Sequence, residues 1–445
     1  MKAQTLGEVI KYFNHQRPLT PERKEEWESF YIDTLRKEIH RIKSEFLKAT
    51  CGHKMLFGGH AGNGKSTELN KFIHDPQIKK KYEIIKLEIQ EILNPFDIEI
   101  VELLLVICFQ ILTFAEENNI KISEYLNDRF RKMEGFFNDT LKIETTHVKA
   151  RGGEAAVKTE AGSGFKLPFL KLKADFFAKM RGEAESRKLV RKEYRPRMNE
   201  LIDLVKDLMA DVKAKFKKKE ILIIIDGLDR TSVQAAEKLF AEDGQIIALI
   251  DNVTMLLTVP ISIIHSVKSP IVENAIGKMH VLKNIRLLNQ DKKKDEKTGK
   301  NWELMKNAIL RRLEPQLITN KALEIAVHYS GGVFRTLIEL IVSAAVEADV
   351  LESNNIGEKD MEGAVKEHRI KKARPLNRTH WEILLEIDQH KKFTGKMDEK
   401  RLELLLGLFA LEYINGDEWY SVNPLLESRL GEWRKLIQAK EKKEK

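Results

Sequence analysis

Gly59-His60-Ala61-Gly62-Asn63-Gly64-Lys65-Ser66 is the stretch on which the reading of this chain turns. It fits G-x-x-x-x-G-K-[ST] at every fixed position. The pattern has a physical reason. Successive backbone N–H groups must turn inward around a phosphate, and glycine tolerates both the conformations and the close approach. A helix that starts at the end of the loop points its N-terminus at the anion. Lys65 offers a cation to the β- and γ-phosphates, and the Ser66 hydroxyl offers a ligand to Mg²⁺. The flanks agree. Met55-Leu56-Phe57 reads as a short strand before the loop, and Ser66 to Ile73, with Thr67 in its first turn, reads as a helix after it. Gly59, His60, Ala61, Gly62, Asn63, Gly64, Lys65, Ser66 and Thr67 are therefore the candidate phosphate-binding residues of a nucleoside triphosphate site.

Working outward, Ile84 to Leu87, Ile221-Leu222-Ile223-Ile224-Ile225, Val253 to Val259 and Val281 to Leu287 read as further strands. Helical stretches separate them. Pro95 breaks the chain, and Asp97 is placed to cap a long apolar helix from Ile98 to Phe114. Strands that alternate with helices predict a parallel sheet covered on both faces, hence an α/β fold. Asp226 ends the most apolar strand. That puts a carboxylate at the carboxyl edge of the sheet, beside the phosphate loop, where it is expected to contact Mg²⁺. Ser66 and Asp226 are thus the candidate metal residues. Asp229 is a candidate to orient or deprotonate the attacking water. Thr258, near the end of its strand, is a candidate γ-phosphate or water contact. Arg230 either pairs with Asp229 or faces a neighbouring subunit.

The N-terminal 1–50 reads as helices, with Trp27, Phe30, Tyr31, Leu35, Ile39, Ile42 and Phe46 on one apolar face. Residues 118–185 fit no α/β unit. Their Gly-, Ala- and Lys-rich stretch from Arg151 to Lys166 predicts a partly mobile insertion carrying a hairpin. From about Asn301 the pattern is helical. Ser330-Gly331-Gly332-Val333-Phe334-Arg335 gives a tight turn and a fresh helix, and places Arg335 one turn in, where it can reach back to the phosphates. Arg311 and Arg312 are either surface residues or groups that act on a neighbouring copy. Arg374-Pro375-Leu376-Asn377 reads as a linker. His380 to Leu430 then reads helix, helix, hairpin, with the turn at Asn415-Gly416-Asp417-Glu418. The expected organisation is an N-terminal helical segment (1–50), a nucleotide-binding core with its insertion (51–290), a helical lid (291–373) and a C-terminal domain with a basic tail (374–445).

Of the 445 residues, 42% are hydrophobic and 33% charged, a soluble globular composition. There is no apolar run of transmembrane length and no secretory h-region at Met1 to Ile10. Two cysteines, Cys51 and Cys108, have neither metal-ligand spacing nor a disulfide framework, which fits a reducing cytoplasm. The net charge of +9 permits contact with nucleic acid without establishing it. Much of the excess lies in runs such as Lys217-Lys218-Lys219, which read as solvated loops.

Together, Gly59 to Ser66, Ile221 to Asp229, the strand to Thr258-Val259-Pro260, and Ser330 to Arg335 resemble the AAA+/STAND branch of P-loop ATPases. The Asp-Gly-Leu-Asp of residues 226–229 is similar to the NACHT- and KAP-type form of the Walker B motif. The resemblance implies ATP as ligand with Mg²⁺, a lid whose Arg335 senses the γ-phosphate, and a winged helix at the C-terminus. It also implies a homo-oligomer or a protein partner, in bacterial antiphage defence or signalling. Two departures bear on rate. Gly227 stands where AAA+ machines carry Glu, and Arg230 stands where NACHT-like motifs end in Glu, so the resemblance implies slow, switch-like hydrolysis. The other reading is a DNA-associated initiator or loader that binds duplex DNA through the winged helix. Its second helix, Asp398 to Leu408, offers Lys400 and Arg401 but also Asp398, Glu399 and Glu403, and its wing carries Asp417 and Glu418. That favours packing on protein over reading DNA.

Overall fold

The computed structural model describes residues 2–13, 17–34, 36–141, 166–217 and 219–441. Most of the Arg151 to Lys166 stretch, with the hairpin expected there, lies outside the described residues, as does the tail from 442.

Five parallel strands form the central sheet: β1 (Lys54–Gly58), β2 (Tyr82–Glu88), β3 (Glu220–Asp226), β4 (Thr254–Val259) and β5 (Met279–Val281), in the order β2-β3-β4-β1-β5. The α/β class expected from the alternation of elements is the one observed. β3 explains why its sequence is apolar without a break. Ile221, Ile223 and Ile225 face the core under helix Ile100–Glu117, while Leu222 and Ile224 face helices Glu38–Lys48 and Lys65–Ile73. Both faces are covered, and each such side chain contributes about 1.5–3 kcal/mol by leaving water.

Four expectations change. Asp97 does not cap the long helix. Glu99 is the N-cap, with its N–H donating to Glu102 Oε2 at 3.2 Å, and Asp97 instead accepts from Arg187 and Arg191, each at 2.8 Å. The Val281–Leu287 strand shrinks to Met279–Val281, because its partner β1 ends at Gly58, opposite Val281. Leu282 still donates its N–H to the Gly58 carbonyl at 2.8 Å, and Ile285 and Leu287 beyond it stay buried by packing. The N-terminal apolar residues do not share one helix. Helix Lys24–Phe30 stops at Tyr31, which stacks on Trp27, and helix Glu38–Lys48 starts anew. Finally, the described flanks of 118–185 are helices, Glu124–Leu141 and Lys166–Gly182. Phe130, Phe137, Phe176 and Met180 put them into the main core.

Beyond the sheet, helices Glu296–Leu310, Asn320–Ser330, Phe334–Val350 and Glu358–Ala373 form a bundle around Leu323, Leu337, Leu340 and Ile341, joined by the N-terminal helix Leu6–Tyr12. Helices Arg378–His390 and Glu399–Leu406 follow, then the hairpin β6 (Ala410–Asn415) and β7 (Asp417–Val422), and helix Glu427–Glu441. Gly416, at φ +82°, makes the turn between Asn415 and Asp417. Among the described residues no helix is long and apolar enough to cross a membrane.

Candidate functional site

The loop between β1 and helix Lys65–Ile73 takes the shape that its glycines allow, with φ at +136° for Gly59, +76° for Gly62 and +94° for Gly64. Lys65 Nζ lies over the loop. It donates to the carbonyls of Gly59 and His60, both at 2.9 Å, and pairs with Asp229 Oδ2 at 2.8 Å. Lys65 and Asp229 thus meet from segments that the sequence holds far apart.

Asp226 ends β3 with 1% of its surface exposed. Burial raises its pKa to about 6, and the carboxylates of Asp229 and Glu88 push the same way. Glu88 belongs with this group because β2 and β3 pair in register, Glu88 opposite Asp226. The Ser66 hydroxyl lies close enough to offset part of the rise. Asp226 Oδ1 accepts from the Gly227 N–H at 2.8 Å, while Oδ2 has no well-formed hydrogen bond. A buried carboxylate oxygen without a donor, beside a serine hydroxyl, is an oxygen donor set that suits Mg²⁺. Bound there, the ion would supply charge neutralisation at the phosphates.

Thr258 has a different place from the one expected. Its hydroxyl accepts from the Leu228 N–H at 3.1 Å and donates to the Ile225 carbonyl at 3.3 Å, and the residue is fully buried. Both functions of the hydroxyl are spent on the turn after β3. Thr258 therefore holds the turn that carries Asp226 and Asp229, and it is not among the residues that line the cavity around Lys65 and Asp229.

Arg335 sits where the turn Ser330–Val333 delivers it. Its N–H donates to the Gly62 carbonyl at 3.2 Å, and a Cβ on Gly62 would come within 2.6 Å of Arg335 Cβ. Burial lowers the Arg335 pKa, and the neighbouring Arg230 adds to that. Both arginines line a cavity with Gly62, Gly64, Lys65, Ser66, Thr67 and Asp229. The remaining wall comes from Arg17 to Leu19, Phe30 to Ile32, and Ile309, Arg312 and Ile338 of the bundle. This is a concave site with cations at one part and apolar side chains at another, as a nucleotide requires.

Two loop residues turn away from the cavity. Asn63 is fully buried and donates to the carbonyls of Leu282 and Lys283, at 2.9 and 3.1 Å. His60 is 2% exposed, and its Nε2 accepts from the backbone N–H of Glu412, in β6, at 2.8 Å. Burial lowers the His60 pKa to about 4, so the ring is neutral. Its backbone serves the loop, but its side chain is a bond to the C-terminal hairpin. Tyr413 adds a second bond, its hydroxyl donating to the Gly331 carbonyl at 2.7 Å. Ala61 lines an adjoining groove with Phe96, Thr231 and Leu406, which shares Asp229 and Arg230 with the cavity.

Arg36 and Glu88 carried no sequence signal, and Arg312, read as a surface residue or a group acting on a neighbouring copy, lines the cavity. Arg36 donates to Asn63 O at 2.9 Å, to Asn63 Oδ1 at 2.8 Å and to Lys283 O at 3.2 Å, which clamps the loop from the N-terminal side. Only the arginine itself was visible in the sequence; its partners lie up to 247 positions away.

The second helix of the C-terminal unit, Glu399–Leu406, is packed rather than displayed. Leu404 and Leu405 are buried with Ile261 of the core. Lys400 pairs with Glu403 at 2.9 Å, and Arg401 pairs with Asp398 at 2.9 Å and Glu386 at 3.4 Å.

No family model matches the chain, and no curated protein matches it. Among solved structures, it is similar to Cdc6p from Pyrobaculum aerophilum, with 11% identity over 98% of this chain and 100% of that one, at a TM-score of 0.42. The Aeropyrum pernix ORC2 protein in its ADP form is 13% identical over 97% of this chain and 98% of its own, also at 0.42. The RuvB Holliday junction branch migration motor of Thermotoga maritima is 12% identical over 84% and 80%, at 0.33. Scores this low carry no function from those proteins to this chain.

Proposed function

We propose that the chain is a Mg²⁺-dependent ATPase that turns over slowly and works as a nucleotide-gated switch. One observation carries the reading. Lys65, Ser66, Asp229 and Arg335 line one cavity from three separate segments, Asp226 lies beside them near Ser66, and the loop that makes its floor is also hydrogen-bonded to the C-terminal hairpin through His60. Lys65 and Arg335 would hold the β- and γ-phosphates, Ser66 and Asp226 the Mg²⁺, and Asp229 the attacking water. With Gly227 after Asp226 in place of a carboxylate, Asp229 carries the base role alone, which keeps turnover slow. A change at the γ-phosphate would move Arg335 and the Gly62 carbonyl that it bonds, and with them the bundle and the hairpin. The assembly surface thus exposed would serve a second copy or a protein partner.

ATP turnover by the intact chain, with Lys65→Ala as control, tests this. Slow, Mg²⁺-dependent turnover that falls on the order of 10²-fold in the variant supports it. Turnover strongly stimulated by duplex DNA would favour the initiator reading instead, against the packed and ion-paired state of helix Glu399–Leu406.

A further inference from the structure

The cavity has a part that phosphates do not explain. Pro18, Leu19, Phe30, Ile309 and Ile338 give it an apolar wall, and Arg312 stands in that wall without the acid partner that the neighbouring Arg17 has in Glu26. The Arg312 guanidinium lies 4.9 Å from the centre of the Phe30 ring. Among the described residues it has no carboxylate within ion-pair distance and donates no hydrogen bond. The nearest acid in effect is Glu26, and Glu26 is already held by Arg23 at 2.5 Å and Arg17 at 3.8 Å. The backbone is pinned as well: Arg312 O accepts from the Ala3 N–H at 2.8 Å, and Leu313 is fully buried next to it.

A cation partly withdrawn from water with no partner gains when something arrives to pair with it. Burial shows in its chemistry, holding the Arg312 pKa down to about 10. The phosphates already have Lys65, Arg230 and Arg335. What remains for Arg312 is the other end of the ligand, where apolar walls suit a planar ring.

We propose that Arg312, backed by the Phe30 ring, is the residue that reads the nucleobase, by donating hydrogen bonds to acceptor atoms on the base edge. A guanidinium has donors only, so it rewards ring nitrogens and carbonyls and turns away amino groups. The cation–π contact with Phe30 fixes the plane of the guanidinium before the base arrives. The inference rests on the nucleotide reading of the phosphate loop and adds the means by which the base is held.

The test separates the two parts of the ligand. Affinities of the intact chain for ATP and for inorganic tripolyphosphate, both with Mg²⁺, are measured by calorimetry for wild type, Arg312→Met and Arg312→Lys. Wild type is expected to favour ATP. Arg312→Met is expected to weaken ATP by roughly tenfold or more, the loss that follows a deleted charged hydrogen bond, while tripolyphosphate changes by less than about twofold. Tripolyphosphate binding is also the proof that the variant is folded. Arg312→Lys, which keeps charge but loses the planar fork, should fall between. Equal losses for both ligands, or an unchanged ATP affinity, would overturn the assignment. A wild-type chain that binds neither ligand would instead remove the phosphate-loop reading, and this one with it.

Discussion

The phosphate loop is gripped from two sides, and the grips differ in kind. On the N-terminal side, Arg36 donates to three acceptors on and beside the loop. On the C-terminal side, a neutral histidine accepts one hydrogen bond from β6, and a tyrosine donates one to Gly331. A guanidinium stays charged at any ordinary pH, so the first grip has no switch in it. The second depends on a ring that must remain unprotonated. The loop is therefore anchored to the N-terminal segment and conditionally held by the C-terminal unit. A change in ligand or in pH should release the second side first.

The largest expected effect breaks the second grip mechanically. Gly332 has φ +76°, and a Cβ there would lie 1.8 Å from the Ile285 carbonyl oxygen. Backbone cannot give way as a side-chain end can. Gly332→Ala should cost about 4 kcal/mol, from left-handed strain plus overpacking. Gly416→Ala is the control, with φ +82° and nothing within 4 Å of its Cβ. It should cost about 1 kcal/mol, from strain alone. Urea unfolding of both variants measures the gap, and equal costs would mean that the turn at 330–333 does not hold the bundle to the core.

Acid should open the same side by a slightly smaller amount. The His60 pKa is lowered to about 4 by burial, with Glu412 pulling it up and His265 and Lys65 pushing it down. The sign follows from linkage. Above pH 6.5 the ring is neutral folded or unfolded, and stability is whole. Below 6.5 the unfolded chain takes the proton first, so stability falls until the pH reaches about 4, by about 3 kcal/mol in all. The neighbours leave that window to His60. The His265 pKa is raised: its pairing with Glu412 and Glu418 outweighs its burial, so its contribution is already present below 6.5 and is lost only on the alkaline side. Glu412, lowered by His265 in spite of burial, gives way only below the ordinary carboxylate range. Hydrogen exchange in β6 between pH 6.5 and 4 should rise beyond its intrinsic pH dependence, and His60→Gln should flatten the rise. Loosening centred on Arg36 and residues 282–283 instead would invert the comparison between the two grips.

The contrast between the grips is also a contrast in what the sequence discloses. The loop and Asp226 are legible because their chemistry is written in adjacent residues: a fixed spacing of glycines, and a carboxylate after five apolar positions. β1, β3 and β4 are legible because burial on both faces demands an uninterrupted apolar run. Val281 to Leu287 has an interrupted apolar pattern, broken by Lys283, Asn284 and Arg286, and runs past the end of its neighbour, so pairing, which the sequence does not write, decides against a strand. Arg335 was legible through the glycine turn before it. Arg36, Arg312 and the side chain of His60 had no such marker. An arginine that clamps a loop 27 residues away has the same local sequence as one in solvent. Thr258 was read from its position on the strand, and the bonds of its hydroxyl to the Leu228 N–H and the Ile225 carbonyl have no marker in the sequence.

The smallest expected effect sharpens the account of the second grip by dividing it. The Gly331 carbonyl accepts from the Tyr413 hydroxyl at 2.7 Å and also from Asn284 Nδ2 at 3.2 Å. A carbonyl oxygen has two lone pairs, so Tyr413→Phe leaves it with one donor rather than none. The cost should be about 1 kcal/mol, that of one neutral hydrogen bond with no group orphaned. The ring itself stays, and with it the packing of Val333, Leu411 and Trp419. His60→Ala, by contrast, leaves the Glu412 N–H buried without an acceptor and should cost about 2 kcal/mol. If the two variants prove equally costly in urea, the hairpin is held by apolar contact and the histidine bond is incidental. If His60→Ala costs more, and the double variant costs less than the sum, the two bonds act as one latch across the Gly331 turn.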